Sequence, residues 1–205
     1  MRILGIDPGL SRTGWSVVEA EAGREPRLDA SGLIETASAS PLQERLRFLH
    51  ERLSRVLSDH QPAAAAAEDL FFLKASPSMR STLEARGVIL LACAQAGVSV
   101  CAYDPRTVKA SLTGSGASGK AQVQRMVQRL LKLAQPLTPD DVADAAAIAL
   151  CHSKMSRLGG LKVVDRIGGG LRRAPVSQAS RAASLPPRGR RASRGACEEG
   201  APSTP

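Results

Sequence analysis

The spacing of apolar residues divides the first 157 positions into strands and helices. Five short apolar runs, rich in β-branched residues or alanine, predict strands at residues 3–6, 14–19, 28–37, 63–68 and 98–103. The first three follow one another without an intervening helix, which indicates an antiparallel meander. The run of alanines before Glu68 has a high helix propensity, but Pro62 before it and its short length favour a buried strand.

Leucines at helical spacing predict a first helix that ends before residues 61–62. Ser40 is its predicted N-cap, with Pro41 at the first helical position and Gln43 completing a capping box. Three further helices are predicted at residues 78–96, 107–112 and 120–134. A last helix follows, with Thr138 as its predicted N-cap and Pro139 at its first helical position. This order predicts an α/β domain whose mixed five-stranded sheet is flanked by helices.

Residues 158–205 differ in composition from the rest of the chain. They are rich in Ser, Arg, Pro and Gly and contain few apolar residues, so we expect a disordered basic tail after a folded domain of residues 1–157. The net charge is +9, but residues 156–205 alone hold ten Lys and Arg against three Asp and Glu. Overall basicity is therefore weak evidence for nucleic-acid binding by the folded domain.

The sequence argues against a membrane-spanning protein and against a structural zinc site. No apolar run approaches about 18 residues and no signal peptide is recognisable, so we expect no membrane span and a cytoplasmic location. Cys93, Cys101 and Cys151 stand in apolar surroundings, and no cysteine–histidine group has zinc spacing. We therefore expect reduced core cysteines and no structural zinc.

Four carboxylates occupy positions from which they could converge. Asp7 and Glu68 end predicted buried strands, and Asp141 and Asp144 are three apart on the last helix, so they share a face. Taken singly, Asp7 could begin a turn and Asp141 could cap its helix. Together, four acids need cations, and all-oxygen ligands favour Mg²⁺ or Mn²⁺. Two such ions about 4 Å apart suit phosphodiester hydrolysis.

Six segments between residue 1 and about residue 155 form a recognisable series. They are Gly5-Ile6-Asp7-Pro8-Gly9 with Thr13-Gly14, Glu68 followed by Phe71, Ala85-Arg86-Gly87, Tyr103 with Pro105 and Val108-Lys109, Gly114-x-Gly116-x-x-x-Lys120-x-Gln122-Val123, and Asp141-x-x-Asp144-Ala145. In these segments and in their order, the sequence resembles the RuvC Holliday-junction resolvases of bacteria.

The resemblance implies a ribonuclease H-like fold and a homodimer that nicks two strands of a four-way DNA junction symmetrically, in recombination and repair. It implies two Mg²⁺ ions per active site, replaceable by Mn²⁺, and a nucleoid-associated enzyme that works with the branch-migration complex of RuvA and RuvB. The implied metal-binding catalytic acids are Asp7, Glu68, Asp141 and Asp144. Lys120 would contact the scissile phosphate and Lys109 the backbone nearby, and Phe71 would stack on opened bases. We also assign Phe72, Lys74, Arg80 and Arg86 to DNA binding.

Two of these segments are also similar to motifs of other protein classes. Residues 114–121 come within one residue of a phosphate-binding P-loop, but Ala121 lacks the hydroxyl that would ligate Mg²⁺, and the preceding segment is predicted helical. The sugar-kinase superfamily shares Asp-x-Gly after a strand but needs two lobes. Two alternatives stay open: a related ribonuclease H-like nuclease acting on ribosomal RNA precursors, and a junction-binding protein without catalysis.

Overall fold

A computed structural model describes residues 1–69 and 77–157 of the chain. The strands are β1 (Arg2–Asp7), β2 (Arg12–Glu19), β3 (Arg27–Glu35), β4 (Ala64–Glu68) and β5 (Val100–Tyr103). The helices are α1 (Leu42–His60), α2 (Pro77–Gln95), α3 (Pro105–Thr113), α4 (Lys120–Leu130) and α5 (Asp140–Arg157).

The strands form one mixed five-stranded sheet in the order β3-β2-β1-β4-β5. The hairpins β1–β2 and β2–β3 are antiparallel, as the successive strand signals predict. Strand β4 pairs with β1 and β5 pairs with β4, both in parallel. The alanine run at residues 64–67 is therefore a central strand, and β1 and β4 point their carboxyl ends to the same edge. The predicted fold class is confirmed.

Helices cover both faces of this sheet. Alternate residues of β1 divide between the two faces, Ile3 toward α3, α4 and α5, and Leu4 and Ile6 toward α1 and α2. The apolar stripe of α1 is buried through Leu49, Leu53 and Leu57, as its leucine spacing predicts. Each face thereby forms its own apolar core, and β1 and β4 are buried between them.

Both predicted N-caps are wrong. Pro41, not Ser40, is the N-cap of α1, and no side chain caps that helix. The reason is the extended backbone of Pro41, with ψ at 146°, which delays the first helical residue to Leu42. Likewise α5 begins at Asp140, because Pro139 still belongs to the entry turn, where its carbonyl accepts from the Val142 amide at 3.0 Å.

Other boundaries also differ from the prediction; strand β2, for example, begins at Arg12 instead of residue 14. Helix α3 begins two residues early, because the Asp104 side chain accepts from the Arg106 and Thr107 amides and Pro105 fits the first turn. Helix α4 stops at Leu130, since Lys132 adopts a left-handed conformation with φ of 52°. Strand β5 begins at Val100 instead of residue 98.

The glycine-rich segment between α3 and α4 is a helix–helix connection. Gly114 ends α3 in the left-handed conformation, and Gly119 is the N-cap of α4. A P-loop requires a strand before it, and α3 stands there instead, so the P-loop interpretation is excluded.

Two predictions from composition can be compared with the described residues. Cys93, Cys101 and Cys151 are free and buried, as predicted. None of the helices in residues 1–69 and 77–157 combines the length and apolar character needed to cross a bilayer. The predicted disordered tail, residues 158–205, lies outside the described part of the chain.

Candidate active site

Two of the predicted acids leave the sheet side by side. The parallel pairing of β1 with β4 sets Ile6 opposite Ala67. Asp7 and Glu68 are the next residues on the two strands, so they lie side by side. Each side chain is only partly buried, at the sheet edge where the chain turns away. The register of two buried strands, and not a local motif, brings these carboxylates together.

Glycines on the sheet allow α5 to carry its acids to the same edge. A Cβ on Gly5 would stand 2.0 Å from the Ala145 carbonyl oxygen, and one on Gly14 would stand 2.0 Å from that of Asp141. The buried Ser16 hydroxyl donates to the Val142 carbonyl at 2.9 Å. These contacts fix the first turns of α5, and with them Asp141 and Asp144, over β1 and β2.

Three of the acids line one groove together with two lysines. The groove has a volume of about 250 Å³, and its polar walls are the side chains of Asp7, Glu68, Asp144, Lys109 and Lys120. Apolar side chains of α3, α4 and α5 complete it. Asp141 stands next to this groove without lining it.

Burial and mutual repulsion disfavour the charged form of the two carboxylates at the sheet edge, Asp7 and Glu68. Burial, followed by the charges of Glu68, Asp144 and Asp141, raises the pKa of Asp7 to about 7, with Lys120 opposing. Burial and then Asp144 raise the pKa of Glu68. A carboxylate with a pKa near neutrality is a frequent property of functional sites, and here its causes are burial first and then the neighbouring acids.

Basic side chains pair with the three acids at the start of α5. Lys120 Nζ lies 3.0 Å from an Asp144 oxygen and 3.3 Å from Asp140. Burial pulls the Lys120 pKa down, but the hydrogen bonds and charges of Asp144 and then Asp140 outweigh it, so the pKa is raised. Arg12 Nη2 lies 2.9 Å from an Asp141 oxygen. Within the described residues, no three Asp, Glu, His or Cys side chains are gathered closely enough to share a metal ion as they stand.

The predicted DNA-binding residues have different surroundings. Lys109 lies in the groove wall beside Glu68, and Arg80 is exposed near the start of α2. Arg86 is only 11% exposed and donates to the Glu68 carbonyl at 2.5 Å, which fixes the end of β4. The assignments of Phe71, Phe72 and Lys74 fall outside the described residues.

Comparisons with known proteins decide the family. The family model described as crossover junction endodeoxyribonuclease RuvC matches residues 3–152. The chain is 45% identical over 152 residues to the crossover junction endodeoxyribonuclease RuvC of Caldicellulosiruptor saccharolyticus, covering 74% of this chain and 92% of that protein. It is 46% identical over 153 residues to the enzyme of the same name from Afipia carboxidovorans, covering 75% of this chain and 88% of that protein. The chain belongs to the RuvC family.

A solved RuvC structure has the same architecture. Thermus thermophilus RuvC in complex with a Holliday junction substrate is 36% identical, with a TM-score of 0.77 over 80% of this chain and 99% of that one. The ribonuclease H-like fold expected from the sequence is confirmed, as is the class of enzyme, a crossover junction endodeoxyribonuclease. RuvC resolvases are dimeric and metal-dependent.

Sequence reasoning missed two charged side chains beside this RuvC site: Arg12, which pairs with Asp141, and Asp140, which pairs with Lys120. Asp140 is not among the four predicted acids, yet it shares Lys120 with Asp144, and its carboxylate accepts from Gln124 at 2.8 Å. Arg12 was not considered, although a signal existed. The tight turn between β1 and β2 keeps Arg12 within a few residues of Asp7, at the edge where the acids were expected.

Proposed function

We propose that this chain resolves four-way DNA junctions by paired, symmetric phosphodiester hydrolysis that depends on Mg²⁺. The observation that carries the proposal is the convergence of acids from two parallel strands and α5 at one groove that lysines also line. We infer that Asp7, Glu68, Asp141 and Asp144 are the metal-binding catalytic acids. This assignment rests on their shared position and on the family to which the chain belongs.

The residues present fit divalent cations. All four ligands would be carboxylate oxygens, the donors that Mg²⁺ and Mn²⁺ prefer. The raised pKa of Asp7, caused by burial and by its acidic neighbours, means that its carboxylate needs a positive charge nearby. Mg²⁺ held by these acids would supply an activated water and stabilise the leaving oxygen. Asp7 would be the central one of the four ligands, because the charges of the other three acids act on it.

Lys120 and Lys109 supply the positive charge that does not come from metal. Both ammonium groups border the groove of the acids, where a backbone phosphate must enter for cleavage. Lys120 contacts the scissile phosphate and stabilises the negative charge that develops on it, and Lys109 holds the backbone nearby. Lys120 can leave Asp144 once a cation takes its place there, because its side chain is 53% exposed.

Specificity for junctions comes from other parts of the chain. Phe71 stacks on bases opened at the crossover, with Phe72 and Lys74 beside it in the segment that follows β4. Arg80 binds the DNA backbone. Arg86 acts on DNA through the end of β4, since its guanidinium is engaged by the Glu68 carbonyl.

We further propose a homodimer in which α2 faces its counterpart. Leu83 and Leu91 are 36% and 53% exposed on this helix, and Gly87 lies one turn from each with open space around it. Exposed leucines flanking a glycine allow two helices to approach closely. Two subunits supply the two active sites that paired nicking requires.

Membership of the RuvC family supports a proposed cellular setting. The enzyme acts in the cytoplasm on nucleoid DNA and receives junctions from the RuvA and RuvB complex. The basic tail, residues 158–205, adds nonspecific electrostatic attraction to DNA and is dispensable for cleavage at low salt.

The test is cleavage of a synthetic mobile four-way junction with Mg²⁺. Symmetric nicks in two strands of like polarity are expected, with no product when Ca²⁺ replaces Mg²⁺. Linear DNA duplex and a precursor ribosomal RNA serve as competing substrates. Cleavage of either one without cleavage of junctions would refute the resolvase proposal, and binding without any cleavage would indicate a catalytically silent protein.

A further inference from the structure

Arg12 has Asp141 as its main acidic partner. Its Nη2 lies 2.9 Å from Asp141, whereas its Nε lies 3.9 Å from Glu35. Asp141 is also the more sheltered carboxylate, 28% exposed against 67% for Glu35. A shorter contact in a less solvated place is the stronger one.

The backbone that carries Arg12 is fixed by hydrogen bonds. The Thr13 hydroxyl donates to the Gly9 carbonyl at 2.6 Å, and the Thr36 hydroxyl donates to that of Leu10 at 2.6 Å. The Thr36 amide donates to the Ser11 carbonyl at 3.0 Å. The Arg12 side chain itself is 47% exposed, so its guanidinium can move while its Cα stays beside α5.

This pairing conflicts with metal binding through Asp141. A carboxylate oxygen engaged by a guanidinium cannot also ligate a divalent cation at full strength, and the two positive groups repel each other at short range. Lys120 stands in the same relation to Asp144 but lies in the groove wall, whereas Arg12 lies beside the groove. Asp141 is thus the acid whose counter-ion stands outside the groove.

We propose that Arg12 is an exchangeable counter-ion of Asp141. It neutralises this acid in the cation-free protein and competes with the divalent cation that binds through Asp141. The inference rests on the proposed function, because it requires Asp141 to be a metal ligand. Arg12 is therefore a positioning residue that acts on the cation site through Asp141.

The test is a titration of Mn²⁺ into the full-length, DNA-free protein, with the free ion followed by electron paramagnetic resonance. The cation that binds through Asp141 is defined as the binding lost in Asp141→Asn. Arg12→Gln is expected to bind that cation roughly three- to tenfold more tightly, the range expected when a half-exposed ion pair is lost and a repelling charge removed. Arg12→Lys, which keeps the charge, is expected to stay closer to wild type.

Arg27→Gln is the matched control. Arg27 forms an exposed ion pair with Glu19 at 2.8 Å at the far end of β2 and β3, so the variant loses the same charge without touching the acids. Its Mn²⁺ binding is expected to equal that of wild type. Thermal unfolding checks that all variants are folded.

The outcomes of the Mn²⁺ titration distinguish failure of the Arg12 proposal from failure of the proposed metal site. If Arg12→Gln binds the Asp141-dependent cation as wild type does, or more weakly, the counter-ion role is refuted while the metal site stands. If Asp141→Asn binds Mn²⁺ as wild type does, Asp141 is not a ligand and the role of Arg12 falls with it. If wild type binds no Mn²⁺ and Arg12→Gln binds none either, both the inference and the proposed cation site of the DNA-free protein are overturned.

Discussion

Gly14 lies so close to Asp141 that a Cβ on it would stand 2.0 Å from the Asp141 carbonyl oxygen. The contact joins the edge of the sheet that carries Asp7 to the helix that carries two further acids, because Gly14 is the β2 partner of Asp7. A methyl group there cannot be accommodated unless α5 moves. The separation between sheet and helix is therefore set by the absence of a side chain.

We expect Gly14→Ala to destabilise the fold and to impair cleavage. Overpacking of this kind costs about 1–3 kcal/mol, and displacement of Asp141 should lower junction cleavage by more than about tenfold. Urea unfolding and a cleavage assay measure the two effects. Gly119→Ala is the control for unfolding, since Gly119 has open space and an ordinary φ of −71°; it should change stability by less than about 1 kcal/mol. Equal effects of both substitutions would contradict the close-approach account.

The strands and the acids at their ends could be predicted because each depends on local pattern, whereas the strand order in the sheet depends on long-range pairing such as that of β1 with β4. Apolar runs give the strands, and an acid such as Glu68 at the end of a buried run needs a partner wherever the chain goes. The first residues of α1 and α5 were harder to predict, because a proline such as Pro41 or Pro139 fits either the first helical turn or the residue before it. The Arg12–Asp141 pair could not be predicted, since it depends on how closely α5 approaches β2.

Lys120→Gln should lose cleavage far more than binding. Lys120 contributes one of several charges to DNA affinity, but its ammonium group is the one we assign to the scissile phosphate. Removing such a group typically costs about 10²-fold in rate. Single-turnover cleavage and junction gel shifts separate the two quantities. Lys132→Gln, which removes an exposed lysine paired with Glu25, should cleave at the wild-type rate. A cleavage loss no larger than the binding loss would contradict the role of Lys120.

The raised pKa of Asp7 predicts how metal-free stability depends on pH. Between the ordinary value of 3.8 and about 7, the folded protein holds a proton on Asp7 that the unfolded chain has lost, so this residue makes stability fall as pH rises through that window. Asp7→Asn removes the effect. At pH 8 in chelator, the variant should be more stable than wild type by roughly 1–3 kcal/mol, and the difference should vanish near pH 4.

Chemical denaturation at several pH values measures this difference, and Mg²⁺ provides a second comparison. Added Mg²⁺ should stabilise wild type more than Asp7→Asn, because only wild type has the Asp7 carboxylate to neutralise. A variant that is less stable than wild type at pH 8 in chelator would contradict the repulsion among these acids.

Deleting residues 158–205 tests the assignment of the folded domain to residues 1–157. The truncated protein should cleave junctions at low salt at a rate close to that of the full chain. Its affinity for DNA should fall less steeply with salt, because fewer phosphate contacts are lost. A truncated protein that is folded by circular dichroism yet inactive at low salt would show that the tail takes part in cleavage.

The most direct test of the central claim is to compare junction binding and junction cleavage by Asp7→Asn with those of wild type. Binding is measured in Ca²⁺ and cleavage in Mg²⁺, on the same mobile four-way junction. We predict near wild-type binding and no detectable cleavage, because the substitution keeps the size of the side chain and removes the carboxylate at the centre of the four acids. Cleavage by Asp7→Asn at a rate within a few-fold of wild type would contradict the account.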